Sequence, residues 1–386
     1  MDTSLKNRLT TLIYDEYRKL KPSSRPVVKS NGTKEWTVLA SIVAWNTETD
    51  HLRLITLSTG VKALPDILLL KSGGNMIHDC HAEILSIRGL NTVILNHIKN
   101  IEQGRLSDLL DKDNSKYTWK SENKIILYIS RMPCGDASMD TMEDQKDPAS
   151  KFEINDNDPS QYLFEGNTTI LRGRLNFSKK GYVRSKPGRY DSQITLSKSC
   201  SDKLCMKQVT SLLNSITYDL LNRPVYIDYL LIPSLERTDF NGIERCFKTR
   251  LNNKYQESDI HRPVFFVVET CDNQFIDDKK NDDETPSAMS SIKLYYDKSN
   301  TQEQAILNGV KNGSYTKGSK PLPKGCEPAV SRLGQWKLYK EIDQNVTGSY
   351  LEFKGKQVAR REMIGIVRQM LSFDGWIHTR KDDCKS

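Results

Sequence analysis

The feature that most constrains how this chain can fold is a set of potential metal ligands that lie far apart in the sequence. Asp79-Cys80-His81-Ala82-Glu83 carries an imidazole and a carboxylate two residues apart, and Pro133-Cys134-Gly135 adds a thiol much further along the chain. Zn²⁺ binds His nitrogen and Cys thiolate in a tetrahedral arrangement, and a catalytic site leaves one position for water. We therefore expect a fold in which these two segments meet at one metal ion.

The His-x-Glu and Pro-Cys segments together are typical of zinc deaminases, in which water activated by the metal displaces an amino group from a base. Most of these enzymes take a second cysteine from Pro-Cys-x-x-Cys, but here Gly135-Asp136-Ala137 follows Cys134. A third protein ligand must come from elsewhere. The best candidate is Cys200 in Ser199-Cys200-Ser201-Asp202-Lys203, and Cys205 is the alternative.

Glu83 is predicted to carry protons rather than to bind the metal. Bound zinc lowers the pKa of water from about 15.7 to about 7, and a carboxylate two residues from His81 could take the water proton and return it to the ring and the departing amine. The alternative is a structural zinc site. Structural sites usually close with four protein ligands, commonly from paired Cys-x-x-Cys elements, and this sequence has no such pair.

The motifs His81-Ala82-Glu83, Pro133-Cys134-Gly135 and Ser199–Lys203, in this order, resemble those of the adenosine deaminases that act on RNA. The similarity runs from Thr59-Gly60-Val61-Lys62 to Trp376. It implies that an adenosine leaves its stack and is converted to inosine with loss of ammonia.

This family has a branch that edits double-stranded RNA and a branch that acts beside the anticodon of alanine transfer RNA. We favour the tRNA branch for two reasons. The chain is almost entirely catalytic domain, without room for an appended double-stranded-RNA-binding domain, and the stretch 184–189 resembles the tRNA branch. The alternatives are deamination of double-stranded RNA and, in a different class, an inactive RNA-binding zinc protein.

The resemblance also implies a buried inositol hexakisphosphate, which would compensate a cluster of buried cations that is otherwise costly. Its implied ligands are Ile84 (through its backbone), Arg88, Lys203, Tyr350, Lys354 and Trp376. Three positions depart from the family pattern: Ile87, Met206 and Gln335. Lys62 resembles a lysine that contacts the substrate; otherwise it is a solvated loop residue.

Hydrophobic periodicity predicts an α/β architecture with a mixed sheet. The resemblance makes this a deaminase fold, with helices on both faces of the sheet, zinc at two helix N-termini and a helical C-terminal part. We expect a single domain over residues 1–386, with mobile insertions at 140–161 and 272–287. The individual predictions are helices at 5–19, 84–101 and within 331–376, a strand hairpin at 36–45 and 52–57, and strands at 124–129, 225–232 and 264–268. Cys134 follows the apolar strand at 124–129 and is expected to open the next helix.

Composition narrows the class of protein and its partner. The net charge of +8 suits a polyanionic partner such as RNA. The eight cysteines lack the density of a disulfide-stapled secreted domain, and Met1–Lys6 lacks the apolar core of a signal peptide. No apolar run approaches the roughly 20 residues that cross a bilayer. We therefore expect an intracellular protein with reduced thiols.

Overall fold

A mixed sheet of eight strands lies at the centre of the part of the chain that the structure describes. The computed structural model describes residues 1–144, 154–155, 158–163, 170–188, 192–252, 262–318, 320–373 and 376–385. In spatial order the sheet contains β12 (Val267–Glu269), β11 (Tyr229–Leu231), β8 (Asn123–Ile129), β2 (Leu39–Asn46), β3 (His51–Thr59), β14 (Met289–Tyr295), β15 (Thr301–Leu307) and β16 (Val310–Lys311).

Shorter elements surround this sheet. The two-stranded pairs in the described ranges are β1 (Glu35–Trp36) with β13 (Thr285–Pro286), β4 (Val61–Ala63) with β5 (Asp79–His81), β6 (Leu110–Asp113) with β7 (Lys116–Trp119), and β9 (Ile170–Arg172) with β10 (Val183–Ser185). The helices in the same ranges are α1 (Thr3–Arg18), α2 (Ala82–Glu102), α3 (Met139–Asp144), α4 (Cys200–Thr210), α5 (Ser215–Leu220), α6 (Arg237–Glu244), α7 (Arg250–Asn252), α8 (Arg332–Ile342), α9 (Tyr350–Lys356) and α10 (Val358–Leu371).

The predicted mixed α/β class is confirmed. The pairing between neighbouring strands changes from antiparallel to parallel at strand β8. Strand β8 runs antiparallel to β2 and parallel to β11. The predicted hairpin is also present, since β2 and β3 pair antiparallel from Leu39↔Thr59 to Asn46↔His51. The three C-terminal helices α8, α9 and α10 confirm the predicted helical C-terminal part.

Both faces of the sheet are covered by helices because β8 sends apolar side chains to each side. Ile125, Leu127 and Ile129 pack in the core that contains α2, whereas Ile126 and Tyr128 pack in the core that contains α1. Alternate residues of a strand point to opposite faces, and fully burying each such side chain stabilises the fold by about 1.5–3 kcal/mol. Strand β8 thus anchors the loop that follows it, which contains Cys134.

The two long predicted helices are present and fill different roles. In α1 the buried residues Leu5, Leu9, Ile13 and Tyr17 recur every fourth residue and face the sheet. Helix α2 is buried around most of its circumference, because the sheet lies on one side of it and α8 on the other. Its N-terminus is therefore held firmly at the end of β5.

Two predicted strands are shorter than their apolar runs. Residues 225–232 were expected to be extended throughout, but only Tyr229–Leu231 form strand β11, and the run at 264–268 gives a strand only at Val267–Glu269. The reason lies in their backbone partners. Val225 exchanges hydrogen bonds with the loop after α4, and the Val264 N–H donates to the Gln208 carbonyl oxygen at 2.7 Å.

The two predicted insertions differ in how far they can be described. In 140–161, residues 145–153 and 156–157 lie outside the described residues. The segment 272–287 packs against α1, where Phe275 is buried with its ring centroid 4.8 Å from that of Tyr17. Its mobility stays a prediction. In the described part of the chain, no helix has the length and apolar character needed to cross a bilayer.

Candidate metal centre and active site

Three segments that are distant in sequence converge at one point. His81 ends β5 and caps the N-terminus of α2, Cys134 lies in the loop after β8, and Cys200 is the first residue of α4. One potential ligand atom from each of the three lies within 4.8 Å of the others. The structure thus brings together the three residues that the sequence pairs with zinc.

The ligand atoms have the separation that a tetrahedral zinc ion requires. His81 Nδ1 lies 3.7 Å from Cys134 Sγ and 3.5 Å from Cys200 Sγ. Ligands at zinc–nitrogen and zinc–sulfur bond lengths in a tetrahedron are about 3.5 Å apart. A hydrogen bond from Cys200 lowers the pKa of Cys134, whereas burial raises the pKa of Cys200. One imidazole and two thiols in this arrangement suit Zn²⁺.

One expectation about local structure is wrong. Cys134 was expected to open a helix, but the next residue, Gly135, has φ 108°, which is not a helical conformation. A 3₁₀ turn, Asp136–Ser138, follows, and helix α3 begins only at Met139. A Cβ on Gly135 would lie 2.1 Å from Ser199 Oγ. Glycine is therefore required for the close approach of the two cysteine segments. The helix N-termini at the site are those of α2 and α4.

Glu83 lies in the first turn of α2, with 2% of its surface exposed. Among the described residues, no hydrogen-bond partner reaches its buried Oε2 atom. A buried carboxylate oxygen without a partner is costly, and such atoms are kept where a ligand or a reacting group completes the bonding. Glu83 therefore has the free acceptor that a proton carrier needs.

A buried carboxylate, Asp79, joins the cysteine site to two lysines. Lys186 Nζ donates to both Asp79 carboxylate oxygens, at 2.8 and 2.7 Å, and to Cys200 Sγ at 3.0 Å. Lys203 also donates to Asp79. Although burial alone would raise it, the pKa of Asp79 is lowered by the charges of Lys186 and Lys203. Sequence reasoning gave Asp79 and Lys186 no role, although Asp79 stands two residues before His81.

The competing ligand candidates lie elsewhere. Cys205 is fully buried about one turn further along α4, and Cys80 is packed in the hydrophobic core. His78 Nε2 lies 3.0 Å from Asp382 Oδ2, so the His78 ring contacts the C-terminal segment. Lys62 lies on β4, paired with Cys80 on the strand that leads to His81.

A second feature is a cluster of buried or half-buried cations beyond the metal site. We call it the basic cluster, and its members are Arg88, Lys198, Lys207, Lys354, Arg360 and Arg368. Burial, followed by the charges of Arg360, Arg88 and Lys354, lowers the pKa of Lys207 to about 7. Burial likewise lowers the pKa of Lys354 and Arg368. Burial, and for the two lysines also the neighbouring positive charges, disfavours the charged forms of these side chains.

Some side-chain N–H groups of the basic cluster donate hydrogen bonds to backbone carbonyls, and others have no acceptor among the described residues. Lys207 Nζ donates to the Ser211 and Leu212 carbonyls at 3.0 and 3.2 Å, and Arg360 donates to those of Thr210 and Leu213. At the basic cluster and the neighbouring Trp376, the buried donor atoms Arg360 Nε, Arg368 Nε and Trp376 Nε1 have no hydrogen-bond partner among the described residues. A donor set of this kind suits a highly charged anion.

The residues that the resemblance assigns to inositol hexakisphosphate lie on several elements. Ile84 and Arg88 stand in α2, Lys203 in α4, and Tyr350 and Lys354 in α9, while Trp376 follows α10. The other members of the basic cluster, Lys198, Lys207, Arg360 and Arg368, were not singled out from the sequence. Three of them lie on α4 and α10, which meet only in the tertiary structure.

Residues that depart from the family pattern have other roles. Ile87 belongs to the hydrophobic core, and Met206 is partly buried and packs against it. Gln335 Nε2 donates to the Arg88 carbonyl at 2.9 Å and to Thr92 Oγ1 at 3.0 Å. These neutral side chains stabilise the elements that carry the basic cluster.

Comparison with known proteins agrees with this geometry. Residues 15–357 match the family model described as the adenosine-deaminase (editase) domain. The chain is 45% identical to the tRNA-specific adenosine deaminase 1 of Saccharomyces cerevisiae, over 100% of this chain and 95% of that protein. It is 30% identical to the tRNA-specific adenosine deaminase 1 of Schizosaccharomyces pombe, over 97% of this chain and 95% of that protein. The double-stranded RNA-specific editase B2 of Rattus norvegicus is 26% identical over 52% of this chain and 27% of that protein. By its motifs, its site and this similarity, the chain belongs to the adenosine-deaminase (editase) domain family.

Proposed function

We propose that this protein converts adenosine to inosine in transfer RNA by zinc-dependent hydrolysis. The observation that carries the proposal is the cluster of His81, Cys134 and Cys200, whose ligand atoms lie within 4.8 Å of one another next to buried Glu83. The tRNA substrate is inferred from two relatives named tRNA-specific adenosine deaminase 1, which match nearly the whole chain. Such a substrate implies that the enzyme acts inside the cell.

The roles of the site residues follow from their chemistry. His81, Cys134 and Cys200 would hold zinc, which when bound supplies a Lewis acid that makes water a better nucleophile at neutral pH. Glu83 would take one proton of the attacking water through its free Oε2 and deliver it to the ring nitrogen. The second water proton, released from the new hydroxyl on C6, would go to the amino group, which leaves as ammonia. Lys186 and Asp79 hold the side of the site at Cys200 in place.

The substrate base must leave its stack to reach the buried site. Adenosines in an anticodon loop are already partly unstacked, which lowers the cost of this step. We propose the adenosine on the 3′ side of the alanine tRNA anticodon as the target. Lys62 would contact the substrate, and basic surface residues would hold the tRNA phosphates.

The second bound group that we propose is inositol hexakisphosphate, in the basic cluster. Several cations that lower one another's pKa, together with unpartnered donors on Arg360, Arg368 and Trp376, fit a compact polyanion. Ile84, Arg88, Lys203, Tyr350 and Lys354 would complete the site. Phosphate oxygens would return the lysines to their charged forms.

The substrate is tested by incubating the purified protein with alanine tRNA, with the same tRNA carrying guanosine at the target position, and with a long RNA duplex. Inosine is then counted by mass spectrometry of nucleosides. We expect one inosine per alanine tRNA and none in the guanosine control. Inosine in the duplex alone would favour the double-stranded editing activity of the B2 relative. No inosine in any RNA, from zinc-loaded protein, would favour an inactive RNA-binding protein.

The choice of Cys200 as the third ligand has a matched control in Cys205, a fully buried cysteine of the same helix. We expect Cys200→Ala to lose zinc during dialysis against a chelator, because two protein ligands remain. Cys205→Ala should keep one zinc per chain. Elemental analysis of both variants gives the result, and retention of zinc by Cys200→Ala would remove this cysteine from the site.

A further inference from the structure

The two segments that carry the site cysteines have a feature in common that the zinc chemistry does not use. In each segment an aspartate follows two residues after the cysteine: Asp136 after Cys134, and Asp202 after Cys200. Both aspartates are fully buried, with 0% of their surface exposed. Each accepts a hydrogen bond from a neighbouring backbone N–H, Asp136 from Gly181 at 2.6 Å and Asp202 from Arg184 at 3.0 Å.

One arginine reaches both aspartates. Arg250 Nη2 donates to Asp202 Oδ1 at 2.7 Å, and Arg250 Nη1 lies 3.7 Å from Asp136 Oδ2. A second arginine, Arg245, contacts both Asp136 carboxylate oxygens at 3.3 Å and the Asp136 carbonyl at 2.7 Å. Arg250 thereby links the loop of Cys134 to the helix that begins at Cys200.

The two arginines face the same way because the chain leaves the α-helical path between them. Residues Arg245–Thr249 form a π-helical turn, and the Arg250 N–H donates to the Arg245 carbonyl, five residues back. In an α-helix of 3.6 residues per turn, residues five apart point about 140° away from each other. A π-turn bonds residue i to residue i+5 and so stacks them on one side, and such turns are frequent at functional sites.

The link through Arg250 acts on the distance between the Cys134 and Cys200 segments, which matters for metal binding. The Cys200 N–H donates to Cys134 Sγ at 3.4 Å, and the Ser201 N–H donates to the Cys134 carbonyl at 3.0 Å. A shift of either aspartate would therefore move a sulfur relative to His81. Groups that hold ligands in place typically change metal affinity by about 10–100-fold when they are removed.

We propose that Arg250, aligned with Arg245 by the π-turn, is a positioning residue that fixes the distance between the sulfurs of Cys134 and Cys200. It rests on the proposed zinc site. In the described contacts, the Arg250 side chain reaches Asp136, Asp202 and Cys246 and none of the three ligand candidates. Its effect reaches the metal through Asp136 and Asp202, so it should act on metal affinity and ligand geometry before it acts on folding.

The test compares Arg250→Met with Lys248→Met, a control in the same π-turn whose exposed side chain pairs only with Glu244 in the described contacts. Apoprotein is titrated with Co²⁺, and the absorption bands of the cobalt–thiolate centre are recorded. Zinc affinity is then measured by competition with a chelator. All measurements are made well below the unfolding temperature of each variant.

We expect Arg250→Met to bind zinc about 10–100-fold more weakly and to shift the cobalt bands, while Lys248→Met matches the wild type. Arg250→Lys should not restore the bands, because an ammonium lacks the fork that spans two carboxylates. Affinity and spectrum equal to wild type in Arg250→Met would overturn the inference.

If Arg250→Met does not fold, Arg245→Met takes its place, since Arg245 is partly exposed and contacts Asp136 but not Asp202 in the described structure. A smaller loss of affinity with shifted bands supports the inference, and an unchanged spectrum overturns it. Wild-type protein that binds no cobalt would instead remove the zinc site of the proposed function, and this inference with it.

Discussion

Replacing Glu83 with glutamine is expected to lower the rate of inosine formation by about two to four orders of magnitude, the usual contribution of general acid–base catalysis. Glutamine keeps the size of the side chain but cannot accept and return a proton. Glu83 is buried, its Oε2 atom has no partner among the described residues, and it lies outside the group of three ligand atoms. Zinc content should therefore stay at one per chain.

The measurement is a single-turnover rate with alanine tRNA, combined with elemental analysis of the same sample. Glu102→Gln, at the other end of α2, is the matched control. The Glu102 carboxylate pairs with Lys112 at the surface, where an ion pair contributes about 0–1 kcal/mol. A Glu83→Gln variant that deaminates at the wild-type rate would show that another group carries the proton.

Protein that folds without a polyanion is expected to be severely destabilised. Burying an uncompensated charge costs several kcal/mol, and a domain has only about 5–15 kcal/mol of stability in total. The basic cluster contains six buried or half-buried cationic side chains. We therefore expect denatured protein to refold poorly in phosphate-free buffer and to recover when inositol hexakisphosphate is added. The native protein should release an inositol phosphate on denaturation, as mass spectrometry can show.

The pH dependence of the polyanion-free protein sharpens this prediction. In the polyanion-free protein, burial and the charges of Arg360, Arg88 and Lys354 lower the pKa of Lys207 from 10.5 to about 7. Between these pH values the unfolded chain binds a proton that the folded chain lacks. The free energy of unfolding should then rise with pH by about 1.4 kcal/mol per unit from this group. A bound polyanion restores the charged lysine and should remove this slope.

The Lys207→Met substitution should have opposite effects on polyanion binding and on the stability of the polyanion-free protein. It should weaken polyanion binding, yet stabilise the polyanion-free protein, because it removes a buried charge without a counter-ion. Lys356→Met, an exposed lysine of α9, should do neither. Denaturant unfolding with and without inositol hexakisphosphate gives both results. Equal stability of wild-type protein in the two conditions, with no inositol phosphate released, would remove the polyanion from the account.

The sequence was sufficient where function requires particular residue types at particular spacings. His81, Glu83, Cys134 and Cys200 were found from their motifs, and the structure brings the three ligand candidates together. Long periodic segments such as α1 and α2 were also predictable, because their apolar spacing reflects the face that they bury. The ligand roles themselves stay predictions.

What the sequence did not predict depends on tertiary contacts. The apolar run at 225–232 looks like a strand throughout, but part of its backbone bonds to the loop after α4. The loop at Cys134 looked like the start of a helix, and the positive φ of Gly135 prevents this. Lys207 and Arg360 lie far apart in the chain, and only the packing of α10 on α4 brings their charges together.

Helix α4 runs from the candidate metal site to the basic cluster. Cys200 begins the helix, and beyond its last residue the Ser211 and Leu212 carbonyls accept hydrogen bonds from Lys207. Eleven residues form a rod of about 16 Å that moves as a unit. A zinc ion bound at one end and a polyanion bound at the other would then be thermodynamically linked, and the coupling would be reciprocal: whatever factor the polyanion adds to the affinity for zinc, zinc would add to the affinity for the polyanion. The cellular supply of one would thus set the concentration of the other at which the enzyme becomes loaded.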